Sequence, residues 1–307
     1  MVEPQKDLLL KKFPSSGSLQ KIDKESVFKS LPWLKERNLP MITHNDLDGL
    51  LSALIMKKIL GWELVGVYDL QDIWVSPEYR GSLEDAVYVD LDMAHSEMRS
   101  IGHHIISSEA PGRLNLNNAF GVDYTRYHEK YPLSTAISLL WLYDHPFPDD
   151  SLAKLFLLHA DSTWKNYEKY RKNVTQWIKV MGYEEAFFPT LDNPSLTSDM
   201  NNYILPNTYG YNNQCSFDIS GGKARFRQGG QSVQEYIDFL AQVMKVQSME
   251  MPQNMVCRAK NKRMEIKIFN CDIDDQLKTL RGKMGCENSV LSYSLKYKDT
   301  LDITYSS

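Results

Sequence analysis

Three apolar runs in this chain of 307 residues each end in acidic groups. Pro40-Met41-Ile42-Thr43 runs into His44-Asn45-Asp46-Leu47-Asp48-Gly49, Ala86-Val87-Tyr88-Val89 into Asp90-Leu91-Asp92, and Leu155-Phe156-Leu157-Leu158 into His159-Ala160-Asp161. Short continuous apolar runs are the signature of strands buried on both faces of a parallel sheet. Strands of that kind would deliver their acids to one rim, and the crevice outside the carboxyl ends of parallel strands is where open α/β sheets bind ligands. Gly102-His103-His104 adds two imidazoles to the inventory. The pattern predicts an α/β fold with its site at that rim.

Carboxylates gathered at one rim repel one another unless cations sit among them, so the simplest physical account is a pair of bound divalent ions. Imidazole and carboxylate ligands with no cysteine nearby argue against structural zinc and fit Mn²⁺, with Mg²⁺, Fe²⁺ or Co²⁺ as alternatives. Two such ions about 3.5–4 Å apart make a hydrolytic centre for displacement at phosphorus. The competing account is ordinary loop polarity, since Asp and Asn favour turns. It requires three acidic strand ends and a histidine pair to coincide, and the metal reading is preferred for that reason. His95, His128, His145 and His159 fit no motif and are expected in surface or helix-cap roles, with His159, two residues before Asp161, kept as a minor candidate to support a metal ligand.

A chain of this length can hold one large or two medium domains, and two are expected. The formal charge of −4 shows no overall basic footprint, but acids in a metal site are neutralised there, so charge does not exclude a nucleic-acid partner. Cys215, Cys257, Cys271 and Cys286 show neither close pairing nor the density of a secreted disulfide scaffold. No apolar signal core opens the chain, and no run approaches the roughly 18 apolar residues of a membrane span. The expectation is a cytoplasmic protein with no membrane partner.

Residues 1–39 read as a helical lead-in, 40–190 as a catalytic unit, 191–215 as a polar linker and 216–307 as a smaller α+β unit. Within them, helices are expected over 49–61, with Gly61 as C-cap, from Ser134 onward, and over 165–181, 232–246 and 274–284. Strands are expected over 64–68, 86–89, 105–106, 155–158, 255–259, 264–269 and 290–296, with the basic stretch 258–263 as a solvated turn and nucleic-acid contact as its lesser alternative. The glycine-flanked basic segment 221–230 pairs cations with an aromatic, which makes Arg225 a candidate phosphate or single-strand contact beside the plainer reading of a basic hairpin.

In this order the clusters resemble the DHH phosphoesterase superfamily, which includes RecJ-type single-strand exonucleases, nanoRNA and adenosine-bisphosphate phosphatases, and cyclic-dinucleotide phosphodiesterases. The resemblance covers residues 40–162. His44-x-Asp46-x-Asp48-Gly49 is similar to the first motif, Asp90 to the second, Gly102-His103-His104 to the third and Asp161 to the fourth. Asn117-Asn118 and Ser134-Thr135-Ala136 stand where the family carries an Asn-rich turn and a helix opening. The resemblance implies a parallel-sheet DHH-type catalytic domain with a smaller C-terminal α+β domain. It further implies two Mn²⁺ ions, with Mg²⁺ or Co²⁺ possible, held by His44, Asp46, Asp48, Asp90, His103 and Asp161, with Asp90 as bridge. His104 would meet the scissile phosphate, Asp90 and Asp46 would share in catalysis, and Asn117, Asn118, Ser134 and Thr135 would face substrate.

The third motif departs from the family at its first position, where Gly102 replaces an aspartate, and Asp92 or Glu109 are the candidates to stand in. The interval from Asp90 to His103 is short. The C-terminal likeness rests on Ser292-Tyr293-Ser294-Leu295-Lys296-Tyr297-Lys298 and Leu301-Asp302-Ile303-Thr304, which makes Lys296 a substrate-binding candidate in a shortened substrate domain. The expected function is hydrolysis of phosphodiester bonds in single-stranded DNA or RNA, in exonuclease fashion. A phosphatase or phosphodiesterase of small nucleotides is the first alternative, and a non-catalytic nucleotide- or DNA-binding subunit the second.

Overall fold

The computed structural model describes residues 19, 22–94, 98–106, 112–208, 215–226, 232–267, 290–297 and 300–306. The expected helix over 274–284, Glu109, His95, Cys271 and Cys286 lie outside them. After a short helix α1 (Lys24–Ser30), strand β1 (Pro40–His44) leads into helix α2 (Leu47–Leu60). Local chemistry sets both ends of that helix. The Asp46 side chain accepts from the Gly49 amide at 2.9 Å, and Gly61 ends the helix in the left-handed conformation with φ of 72°. A Cβ at Gly49 would lie 2.4 Å from the His44 carbonyl oxygen, so only glycine lets the chain turn this sharply from strand into helix.

Strands β2 (Glu63–Tyr68), β3 (Asp72–Val75), β4 (Val87–Val89), β5 (Arg99–Gly102) and β6 (Arg113–Asn115) follow, then helices α3 (Leu116–Ala119), α4 (Thr135–Leu142), α5 (Ser151–Ala160), α6 (Tyr167–Met181), α7 (Glu184–Leu191) and α8 (Leu196–Asp199). A hairpin of β7 (Phe217–Ser220) and β8 (Lys223–Phe226), helix α9 (Val233–Met244), and strands β9 (Val256–Lys267), β10 (Val290–Tyr297) and β11 (Thr300–Ser306) complete the described chain. The main sheet has nine strands in the order β10-β11-β9-β3-β2-β1-β4-β5-β6. The block β2-β1-β4-β5-β6 is parallel, while β3, β9, β11 and β10 add on antiparallel.

The parallel strands are buried on both faces, as their sequence requires. Along β1, Met41 faces one apolar core and Ile42 the other; along β4, Val87 and Val89 face the first and Tyr88 the second. The larger core is filled by α2, α4, α5, α6 and α9. The smaller one holds Ile42, Tyr68, Ile73, Val75, Tyr88 and Met93 and contains no residue of these helices. Among the described residues its cover comes from the sheet itself, which curls. The Ala94 amide donates to Leu291 O at 2.8 Å, and the Leu295 amide donates to Ile105 O at 3.1 Å. Strand β10 therefore reaches the segments that leave β4 and β5, and the antiparallel end of the sheet folds back over the rim of the parallel block.

Three elements differ from the sequence expectation. Residues 155–158 belong to α5, not to a strand, because Asp150 accepts from the amides of Leu152 and Ala153 and starts a helix whose apolar side packs into the core. A four-residue apolar run fits a buried helix as well as a buried strand. The strand expected at 105–106 lies earlier, at Arg99–Gly102. The two strands at 255–259 and 264–269 are one, β9, and the basic stretch between them is its middle rather than a turn. Pairing with β3 and β11 on either side supplies ladder partners that no local pattern reveals. Within 191–215, α8 and further single turns run to Asn207 and bury Leu196, Met200 and Ile204. Because β9 pairs with β3, the sheet passes from residues 40–190 into 216–307 without interruption. Among the described residues no helix is long and apolar enough to cross a membrane.

Candidate metal centre

The chain ends of β1, β4 and β5 converge with the ends of two helices. His44 closes β1, Asp46 caps α2 and Asp48 lies in its first turn. Asp90 follows β4 directly with φ of 60°, a left-handed conformation that aspartate tolerates better than most side chains. His103 and His104 follow β5, and Asp161 is the C-cap of α5. Asp161 thus arrives from a helix end rather than a strand end.

Two triads of ligand atoms result, each with its members within 4.8 Å of one another: His44, Asp46 and Asp90; and Asp48, Asp90 and His103. Asp90 belongs to both. Its Oδ2 lies 3.7 Å from His44 Nδ1 and its Oδ1 lies 3.8 Å from His103 Nδ1, so its two oxygens face opposite sides of the cluster. Asp161 stands outside both triads, with Oδ2 3.2 Å from His103 Nε2. His44 Nδ1 is 2.8 Å from Asp46 Oδ2.

The supports of these groups are buried. Both oxygens of Asp48 accept amides at the start of α4, from Thr135 at 2.7 Å and Ala136 at 3.0 Å, where the helix dipole favours negative charge. The Thr135 hydroxyl donates to Asp90 Oδ1 at 2.7 Å and lies 2.7 Å from His103 Nδ1. With that hydroxyl proton committed to Asp90, Thr135 accepts from His103 Nδ1–H, which leaves Nε2, beside Asp161 Oδ2, as the nitrogen that could take an ion. Thr135, expected to face substrate, is instead fully buried between a candidate ligand and the candidate bridge. Ser134 is also fully buried and caps α4 through Ile137 N. Asn117 spends both ends on backbone, donating to His103 O and accepting from Tyr131 N, and so shapes the His103 loop. The half-buried Asn118 donates its amide to Asn115 Oδ1. None of these four lines the pocket.

Charge in the cluster is frustrated. Burial, reinforced by Asp90, holds the Asp48 carboxyl well above the usual carboxylate range, and burial with Asp46 raises Asp90. Burial works against the His44 imidazolium, but Asp46 and Asp90 outweigh it and raise the group to about 10. His103 is likewise raised to about 10, with Asp161 as the main opponent of burial. Asp46 and Asp161 are lowered despite burial, chiefly by His44 and His103 respectively. The protein retains protons here because the acids lack positive charge, a shortage that divalent cations would relieve. The donor set, oxygen and nitrogen only with a shared carboxylate between two triads, fits a pair of hard divalent ions.

The pocket over this cluster is lined on one side by His44, Asp46, Asp48, Asp90, Asp92, His103, His104 and Asp161. Ser292, Tyr293, Asp302 and Thr304, brought in by the curl of the sheet, form the other wall with Leu70 and Leu91. Among the described residues no lysine or arginine lines the pocket; Arg263 binds Asp302 through two nitrogens. Arg225 is exposed on β8, opposite Asp218. Lys296 lies on β10, its side chain outside the described part. Sequence reasoning marked the far-wall segments 292–298 and 301–304 by likeness to a substrate domain but named only Lys296 in them as a contact, and it missed Leu70, Leu91 and Asn115, whose side chain joins Asp92 and the His104 carbonyl. Only a signal of long-range pairing could have found them.

Comparison with family models, curated proteins and solved structures finds no significant match to this chain.

Proposed function

We propose that this chain is a two-metal phosphoesterase acting on single-stranded nucleic acid or on a nucleotide. The observation that carries the reading is the pair of ligand triads sharing Asp90, since two ions bridged by one carboxylate suit in-line displacement at phosphorus. His44, Asp46 and Asp90 would hold one ion; Asp48, Asp90 and His103, with Asp161 beside them, the other. Bound there, Mn²⁺, or Mg²⁺ or Co²⁺ in its place, would supply Lewis acidity toward the phosphoryl oxygens and lower the pKa of water. His104, 45% exposed at its side chain, presents its outer ring nitrogen to the pocket, where it can donate to a phosphate oxygen or to the departing alkoxide. Ser292, Tyr293 and Thr304 line the wall across from it, with Ser292 bonded to the Tyr68 hydroxyl and Thr304 donating to the Leu70 carbonyl.

Single-strand cleavage of exonuclease type is the first reading, by the motif likeness. One observation favours the small-nucleotide alternative: β10 closes one side of the rim, and among the described residues no lysine or arginine lines the pocket. A Mn²⁺-supplemented turnover screen over labelled single-stranded DNA, RNA, dinucleotides, cyclic dinucleotides and adenosine bisphosphate separates the two. The expected result is hydrolysis of at least one class, lost in Asp90→Asn. Turnover that survives Asp90→Asn undiminished would place the chemistry elsewhere.

A further inference from the structure

Asp92 belongs to neither triad, yet it is 5% exposed beside them, and its hydrogen bonds among the described residues go to His104 and to Asn115, which itself holds His104. Its Oδ2 accepts the His104 amide at 3.0 Å and lies 3.1 Å from His104 Nδ1. Its Oδ1 accepts Asn115 Nδ2 at 2.8 Å, and the same Asn115 nitrogen donates to the His104 carbonyl at 2.8 Å. Backbone nitrogen, backbone oxygen and ring of His104 are thus tied to a single carboxylate and its amide partner. A carboxylate facing Nδ1 requires a proton on that nitrogen, so the outer nitrogen is the one left to face the pocket.

The carboxylate has room because residue 102 has no side chain. A Cβ at Gly102 would lie 2.4 Å from Asp92 Oδ1, 2.5 Å from Cγ and 2.6 Å from Oδ2. The backbone at Gly102 is not in the left-handed region, so space, rather than dihedral angle, is what demands glycine here. Positions 92 and 102, on neighbouring parallel strand ends, therefore address the same small volume, and only one of them can fill it.

We propose that Asp92 is the positioning residue of His104, and that its carboxylate has taken the volume a side chain at position 102 would occupy, so that Asp92 and Gly102 form one reciprocal unit. The role in turnover rests on the phosphoesterase reading above; the positioning of the ring does not.

Three variants and two kinds of readout test it. Asp92→Asn keeps the shape and removes the charge that fixes the Nδ1 proton; the expected effect is a fall in kcat of about 10–100-fold, the usual cost of losing a partner that orients a metal-site group, with bound Mn²⁺ unchanged. Gly102→Asp alone crowds two carboxylates into one site and should lower the melting temperature. Asp92→Ala combined with Gly102→Asp returns one carboxylate to that volume from the other strand, and should recover both stability and kcat relative to either single change. Nitrogen-15 spectra of the His104 ring provide the readout independent of turnover. Wild type and the double variant should show the proton on Nδ1, and Asp92→Asn a mixture of tautomers. The proposal is overturned if Asp92→Asn leaves the His104 tautomer unaltered, if it strips metal as Asp90→Asn does, or if the double variant is no better than the worse single one. Should no substrate be hydrolysed by wild type, the phosphoesterase reading fails, while the ring spectra and melting temperatures still decide the positioning claim.

Discussion

At the scale of single residues, the site is a group of acids that share too little positive charge. Asp90 is its pivot, because each of its oxygens faces a different triad. Replacing it with Asn keeps the shape but removes the charge both triads use, so Asp90→Asn is expected to lose turnover by more than about a hundredfold and to bind fewer than two ions by elemental analysis. Thr135 tests the supports. Its hydroxyl joins His103 to Asp90, and Thr135→Val should cost about 10–100-fold in metal affinity or turnover, with Thr135→Ser largely restoring it, as read by Mn²⁺ titration. The histidines provide the pH dependence. His44 and His103 are raised to about 10 in the metal-free protein, so both imidazoles carry protons at neutral pH and must lose them to become ligands. Ion uptake should release protons, and binding should tighten as pH rises from neutral toward 10. Calorimetry in buffers of differing ionisation heat reads this directly; pH-independent binding would mean the rings are already neutral.

At the scale of elements, the site depends on how sharply strands turn into helices. The β1–α2 turn places His44, Asp46 and Asp48 within five residues of one another, and it closes only because residue 49 lacks a Cβ. Gly49→Ala would force the start of α2 away from the His44 carbonyl; a loss of about 1–3 kcal/mol is expected by denaturant unfolding, the usual cost of overpacking. Helix α4 contributes differently, by aiming its first amides at Asp48. That the run before Asp161 is a helix matters less than where it ends, since either element could bring the carboxylate to His103.

At the scale of the molecule, the curl of the sheet makes a pocket from what would otherwise be an open rim. Tyr68 and Ser292, 224 residues apart, are joined by a 2.7 Å hydrogen bond, and Thr304 donates to Leu70 O at 2.5 Å, so the far wall is fastened to β2 and the turn after it. Leu301 and Ile303 of β11 are buried in the same core that α2 and α4 fill. Ile303→Ala should therefore destabilise the chain by about 2–5 kcal/mol, with fluorescence and circular dichroism still reporting one coincident transition. Two separated transitions would show that β9–β11 unfold independently of the parallel block.

The strand ends near 44 and 90 and the C-cap at Gly61 were legible from sequence, because each depends on neighbours a few residues away; the helix was expected only from residue 49, and the cap at Asp46 was not read. The α/β character followed from apolar runs too continuous for strands exposed on one face. What tertiary structure alone decided is which distant groups meet. Whether 155–158 was helix or strand could not be read from four apolar residues, nor could the union of 255–259 and 264–269 into one strand, since β3, more than 180 residues earlier, holds its first part and β11, later in the chain, the rest. Ser134, Thr135 and Asn117 were marked by position, but their burial beneath the candidate ligands depends on how α4 and the segment 117–131 pack. The substitution at Gly102 could be noticed in the sequence, and Asp92 suspected; only the packing of two parallel strand ends shows both competing for one carboxylate's volume.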